Sequence, residues 1–403
     1  MDEKERIEIN VKNEEVVADS AQTETSEPSS HAPQTAEVEN PRKKSHVWID
    51  IFCVIAIALS LFLMYQLSRT ASGGDEKSFA EVMRNLNVKY LLLAIVTLLG
   101  AIFLDSMKYF VIMKATTSKA RYPVALKAGL LGKYYDAITP FASGGQPMQI
   151  YYLHRKGLSG GESSGVIFIK FAYNISMWLT ICCCLMAFNR GALDTYVADW
   201  VQRQVFVVGG WIGFAINCFL PLLILSFVVF PKMTGALVRG VLNIGSKLKI
   251  VKDKEATLEK AKRIVNEFIS AFVSMVRKPL YSFVLILLCI GETLLTMTLP
   301  YLVVLAMAGN SVTPSFDLML AIMTLNVYVS MSVTIIPTPG NSGAMENAFM
   351  LTLTSVAEGI LFWTVFSWRF LSYYSYILIG LVMTIVQMIK INKRNRGNRA
   401  KAK

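Results

Sequence analysis

Charge is scarce in this chain. Only 17% of its 403 residues are Asp, Glu, Lys or Arg, against about 25% in an ordinary soluble domain. Histidine is nearly absent: His31, His46 and His154 are the whole set. That leaves little from which to build a histidine triad or a histidine-based metal centre. The six cysteines, Cys53, Cys182, Cys183, Cys184, Cys218 and Cys289, all lie inside apolar runs. None stands at metal-ligand spacing and three in a row cannot sensibly pair, so they read as small buried hydrophobes. A Walker-type glycine loop is also missing, which excludes ATP as the direct driver of any work the protein does. No metal and no cofactor is expected. No soluble catalytic domain is expected either, so the chain is not read as an enzyme by itself.

What is abundant is apolar sequence, at 54% of the residues. It falls in blocks near or above the roughly 20 residues that cross a bilayer core as a helix. A soluble protein with a large core would build it from amphipathic helices instead. The expected fold is therefore an all-α polytopic membrane protein. Six full transmembrane helices are expected, at about 47–67, 90–113, 163–188, 205–230, 280–308 and 359–389. Two further apolar stretches, 123–150 and 316–357, are broken by proline and glycine and do not read as spans.

Charge is also unevenly placed. Residues 1–40 carry eleven acids and three bases, and the remainder carries 37 bases and 17 acids. Residues 1–46 are rich in Glu, Ser, Thr and Pro and cannot bury enough apolar surface to fold, so they are expected to be a disordered acidic cytoplasmic tail. The first apolar run begins too late for a signal peptide. The bases sit beside the spans, which fits anionic lipid and topology and not nucleic acid. Alternating from a cytoplasmic start, the inner segments hold 26 Lys and Arg and the outer ones six. That bias puts both termini in the cytoplasm, with 391–403 as a basic cytoplasmic tail, and it survives only if each broken stretch enters and leaves on the same side. The two would then be re-entrant broken-helix hairpins of opposite orientation, an arrangement that points to an inverted repeat. Residues 253–276 place Leu258, Ala261, Val265, Phe268, Phe272 and Val276 at spacings of three and four, as in an amphipathic helix on the inner surface.

The broken stretches carry the candidate chemistry. In the first, Pro140 ends a short helix and Pro147 suits the first turn of the next. Between them Ser143, Gly144 and Gly145 form irregular backbone, whose free amides, with the Gln146 side chain, suit a lipid phosphate at a helix start. A tight structural corner is the equal alternative. The second break repeats the device with Pro337, Pro339, Gly340 and Gly343. Glu346 then falls in the first turn of the next helix, where the dipole alone favours a carboxylate. At membrane depth it is also a candidate for meeting a cationic head group or carrying a proton. Asp136, Lys133, Glu292 and Arg369 complete the head-group or proton-coupling candidates. Asp105/Lys108 and Lys133/Asp136 stand at i,i+3 and are placed to neutralise themselves. Lys170 is expected to snorkel toward a cytoplasmic helix end. Glu292 and Arg369 have no local partner and must find one on another helix or face a cavity.

Thr139-Pro140-Phe141-Ala142-Ser143-Gly144-Gly145-Gln146-Pro147, followed by Arg155-Lys156-Gly157, resembles a signature of the lysylphosphatidylglycerol synthase transmembrane, or flippase-like, family. Pro337-Thr338-Pro339-Gly340 with Ser342, Gly343 and Glu346 is similar to its second signature, except that Asn341 stands where glycine is usual. The resemblance covers roughly 47–390. The family includes the flippase module of the bacterial multiple peptide resistance factor. The resemblance implies a multi-pass protein of the bacterial cytoplasmic membrane. It would move aminoacylated phosphatidylglycerol or a related polar lipid between leaflets and so raise resistance to cationic antimicrobial peptides. It also implies a phospholipid ligand. The alternative is the membrane part of a phosphatidylglycerol lysyltransferase whose catalytic domain lies elsewhere, on a separate synthase partner. A homo-oligomer is compatible with either.

Overall fold

The computed structural model describes residues 62, 65, 66, 77–229 and 254–386. The chain divides into Met1–Ile49 and Asp50–Lys403, and the first unit lies wholly outside the described residues. So do nearly all of the first expected span, at 47–67, and both tails.

The regular structure among the described residues is helical, apart from one isolated β-bridge. In chain order the helices are α1 (Phe79–Asn85), α2 (Val88–Thr116), α3 (Tyr122–Ile138), α4 (Gly145–Arg155), α5 (Gly160–Phe188), α6 (Gly191–Tyr196), α7 (Trp200–Val229), α8 (Lys254–Val276), α9 (Pro279–Ala308), α10 (Phe316–Ser332), α11 (Ala344–Leu353) and α12 (Leu361–Val386). Four of them, α2, α5, α9 and α12, are long and apolar enough to cross a membrane. They fall on four of the six expected spans. A fifth expected span coincides with α7, a 30-residue helix with Pro221 inside it. The short helices α1 and α6 lie between expected spans, in segments for which the sequence predicted no element.

Local chemistry sets the helix ends. Ser78 and Ser159 form capping boxes with Glu81 and Glu162, so α1 and α5 each begin with side chains on otherwise unpaired amides. Pro279 opens α9, where its missing N–H costs nothing. The α8 helix follows the expected amphipathic segment. Its Glu267 accepts hydrogen bonds from the Ser159 hydroxyl (3.1 Å) and the Gly161 amide (3.0 Å), tying α8 to the start of α5.

α2 and α9 run antiparallel. The Asn87 amide reaches the Ala306 carbonyl at one end (2.9 Å), and the Lys278 ammonium reaches the Ala115 carbonyl at the other. The outward faces are apolar. Leu92, Val96, Leu99 and Phe103 form an exposed stripe along α2, and Val201, Val205, Val208, Ile212, Ile216 and Phe219 form one along α7. Such continuous exposed stripes are what a lipid solvent permits and water does not. A dry core sits inside, around Val303, Val304, Leu325, Tyr328, Phe349 and Trp368. Cys182 and Cys289 are buried as expected, but Cys184 is exposed, and the five described cysteines are all free.

Both broken stretches are helix pairs. The first is α3 and α4, interrupted at 139–144. The second is α10 and α11, interrupted at 333–343. The two interruptions touch, through an antiparallel bridge between Pro140 and Pro339. Proline offers no N–H, so this pairing cannot grow into a ladder.

Candidate functional site

Four helices bring ionisable side chains to one place. α2 supplies Asp105, Lys108 and Tyr109 on one face, α3 supplies Lys133 and Asp136, α5 supplies Lys170 and Asn174 one turn apart, and α9 supplies Glu292. Asp105, Lys108, Lys170 and Glu292 lie eight or more residues from either end of their helices, which is well inside an apolar layer that about 20 residues cross. An isolated ion there would cost several kcal/mol, so the charges survive only as a network.

Lys108 is its centre and is fully buried. An ammonium has three donors, and these meet Asp105 (3.0 Å), Glu292 (3.4 Å) and the Asn174 side-chain oxygen. Asp105 also pairs with Lys170 (3.1 Å), whose ammonium lies 5.0 Å from the centre of the Tyr109 ring. Glu292 also pairs with Lys133 (3.7 Å). The expected i,i+3 pair forms at Asp105/Lys108, whereas Lys133 turns to Glu292 and not to Asp136. Lys170 points into the protein and does not snorkel, because Asp105 and the tyrosine face offer a closer counter-charge than the helix end.

The network borders a cavity of about 180 Å³ whose lining includes Lys133, Asp136, Gln146, Gln149, Lys170 and Asn174. Lys133, with 37% of its side chain exposed, is more open than Lys170, at 16%. Gln149 is buried and donates to the Tyr109 hydroxyl (2.8 Å) and the Ala128 carbonyl (2.9 Å). It fits only because position 132 is glycine: a Cβ there would overlap the Gln149 amide. Gly132→Ala is therefore expected to displace Gln149 and cost about 1–3 kcal/mol. In a Gln149→Ala background the same change should turn neutral or stabilising, since alanine is the better helix former by about 1 kcal/mol. Thermal unfolding of the four proteins in one detergent checks this, and a cost unchanged by Gln149→Ala would refute it.

The first break differs from the expected phosphate cradle. The Gly144 amide donates to the Thr139 hydroxyl (2.9 Å), the Gly145 amide to Asp136 (2.8 Å) and the Ser143 amide to the Pro140 carbonyl (3.3 Å). These amides are occupied, not free. The glycines are needed for room and not for unusual dihedrals: a Cβ on Gly145 would meet the Asp136 carboxylate, and one on Gly144 the Thr139 side chain. The left-handed residues are Phe141 (φ 55°) and Ala142 (φ 49°). Ser143 is exposed, Gln146 lines the cavity, Pro140 follows the helix end and Pro147 sits in the first turn of α4.

The second break is closed around an ion pair. Glu346 is fully buried at the start of α11. One carboxylate oxygen accepts from the Gly343 amide (2.7 Å), the other from Nε of Arg369 (2.7 Å) on α12. A second guanidinium nitrogen donates to the Gly340 carbonyl (3.0 Å). Gly340, Asn341 and Gly343 all have positive φ. Asparagine is among the few other residues that visit this region readily, which explains how it replaces the usual glycine. Tyr373, one turn beyond Arg369, reaches both broken pairs: its hydroxyl lies 2.9 Å from the Ala137 carbonyl in the last turn of α3 and 3.1 Å from that of Pro339 in the second break.

The structure thus splits the candidates into two groups. Lys133, Asp136 and Gln146 line the polar cavity, and Glu292 joins it through its pairs with Lys133 and Lys108. Glu346 and Arg369 pair with each other. A family model described as Lysylphosphatidylglycerol synthase TM region matches residues 53–380. The chain belongs to this family. The match contains both breaks, the whole charged network and Tyr373. No curated protein and no solved structure gives a significant match. Sequence reasoning missed Tyr109, Gln149, Asn174 and Tyr373. A usable signal existed for Asn174, a lone amide one helical turn from Lys170 in an apolar run.

Proposed function

We propose that this protein is a lipid translocase that carries the polar head group of a phospholipid between leaflets while the acyl tails stay in the bilayer. Aminoacylated phosphatidylglycerol is the chemistry that fits best, because it bears both an anionic phosphate and cationic amines. The observation that carries the reading is the polar cavity bordered by the charged network, with Lys133 held loosely at its wall. Lys133 and Lys170 offer ammonium groups to a phosphate, and Gln146 adds an amide. Asp136 offers a carboxylate to a cationic head, while Glu292 balances the charge of Lys108 and Lys133 behind it. At roughly 30 Å³ per water, a cavity of about 180 Å³ takes a head-group fragment and not a whole lipid. Stripping an unaided head group of water costs several kcal/mol for each unpaired polar group. A prepared cluster of both signs lowers that barrier.

The meeting of the two breaks supports two hairpins that enter from opposite sides. The inner excess of Lys and Arg supports cytoplasmic termini in a bacterial cytoplasmic membrane. Delivery of aminoacylated lipid to the outer leaflet lowers its negative charge and so repels cationic antimicrobial peptides.

The test is leaflet exchange of labelled lysyl-phosphatidylglycerol in reconstituted vesicles. Wild type is expected to accelerate exchange. Lys133→Met should slow it at least about tenfold, the worth of one lost charge-assisted hydrogen bond, with little change in thermal stability because Lys133 is partly exposed. Equal exchange with and without protein would overturn the proposal.

A further inference from the structure

The helices α3 and α4 share no extended packing with α10 and α11. The Pro140–Pro339 bridge, which cannot be extended, and the Tyr373 side chain both join the two broken pairs. Tyr373 is buried. Its hydroxyl has one proton and two carbonyls within reach, Ala137 in the first pair and Pro339 in the second. The proton can therefore stay with either side as the pairs part, so parting does not forfeit both bonds. Its ring lies 4.5 Å from the Arg369 guanidinium and fills the space that a Cβ on Gly340 would take. Tyr373 belongs to a single π turn, Phe370–Tyr374, inside α12, a local irregularity often found at working sites. Ala137 follows Asp136 and lies one turn beyond Lys133. Tyr376, on the next turn of α12, has its ring centre 5.9 Å from the Lys133 ammonium. Movement of Ala137, or of the stretch of α12 that carries Tyr373 and Tyr376, is therefore felt at the cavity wall.

We propose that Tyr373 is a positioning residue that holds the two broken helix pairs tip to tip, and that their parting at this hydroxyl opens the Lys133 cavity to a lipid head group. The inference rests on the translocase reading for its purpose, but the parting itself is measured without lipid. Hydrogen–deuterium exchange reads it directly. In Tyr373→Phe the amides of 141–145 and 340–343 should exchange about five- to tenfold faster, as expected for one lost neutral hydrogen bond, while those in the middle of α5 stay unchanged. Faster exchange throughout the protein would mark a general loss of stability and overturn the positioning role, as would no change in either break.

A second variant pair tests whether parting is required. Residues paired across an antiparallel bridge lie about 4.5–5.5 Å apart at Cα, inside the roughly 4.4–6.8 Å that a disulfide spans. Pro140→Cys combined with Pro339→Cys should cross-link on oxidation, arrest leaflet exchange, and recover with a thiol reductant. Each single variant keeps all native cysteines and should respond to neither treatment. Full exchange in the cross-linked protein overturns the proposal, and so does failure of the pair to cross-link, since the tips would then not meet. If wild type moves no lipid, the translocase reading falls, while the hydrogen-exchange result still decides whether Tyr373 holds the pairs together.

Discussion

Arg369→Met is expected to lower the stability of the folded protein by about 3–5 kcal/mol, the usual cost of stranding one partner of a buried ion pair. Glu346 has no water to turn to: it is fully buried, and the oxygen that accepts from Arg369 would be left without its donor. The Gly340 carbonyl would lose its donor in the same step. Glu346→Gln should cost a similar amount, because the buried Arg369 guanidinium is then the stranded charge, and one amide oxygen cannot accept from both the Gly343 amide and Arg369. Combining Arg369→Met with Glu346→Gln should recover at least about 2 kcal/mol of the loss, since no charge is then stranded. Thermal unfolding of the purified variants in one detergent measures all three. An equal drop for the single and the double variant would show that Glu346 does not depend on Arg369.

Lys108→Met should be as damaging for a related reason. The change removes an ammonium that serves two carboxylates and an amide at once. Lys170 still neutralises Asp105, but Glu292 keeps only Lys133, at 3.7 Å and partly exposed. A loss of about 3–5 kcal/mol is expected, seen as poor recovery of folded protein from membranes and a large fall in the unfolding midpoint. Adding Glu292→Gln should restore part of it, because Asp105 retains a counter-ion and Lys133 can reach water. If Lys108→Met alone proved neutral, the network would not be the structural centre described above. Methionine matches the length of the lysine stem, so the loss would report charge and not shape.

The two variants also show where sequence was informative. Helix positions follow from local properties: apolar runs of spanning length, and proline with glycine where those runs break. Five of the six expected spans coincide with helices, and the sixth lies almost entirely outside the described residues. The Asp105/Lys108 pair was legible because three residues on a helix is a local distance. Its third member was not, because Glu292 is 184 positions away from Lys108 and no local rule connects them. Lys170 illustrates the same limit. From sequence it stands early in an expected span and is expected to reach for water; the fold places it ten residues into α5, with Asp105 nearer than the helix end. At the first break, Ser143, Gly144 and Gly145 suggested irregular backbone with free amides. The left-handed positions are Phe141 and Ala142, and the amides are taken by Thr139 and Asp136, contacts that depend on how the turn closes. Glu346 was legible as an ionisable residue at a helix start, but its pairing with Arg369 required the fold.

The charged network has an electrical consequence. Asp105, Asp136 and Glu292 oppose Lys108, Lys133 and Lys170, so at their formal charges the group sums to zero. A membrane potential does work of about 2.3 kcal/mol on each elementary charge carried across 100 mV. A neutral cluster that shifts as a unit draws nothing from that field. On the proposed translocase function, any voltage sensitivity of the exchange would then report the net charge of the lipid itself.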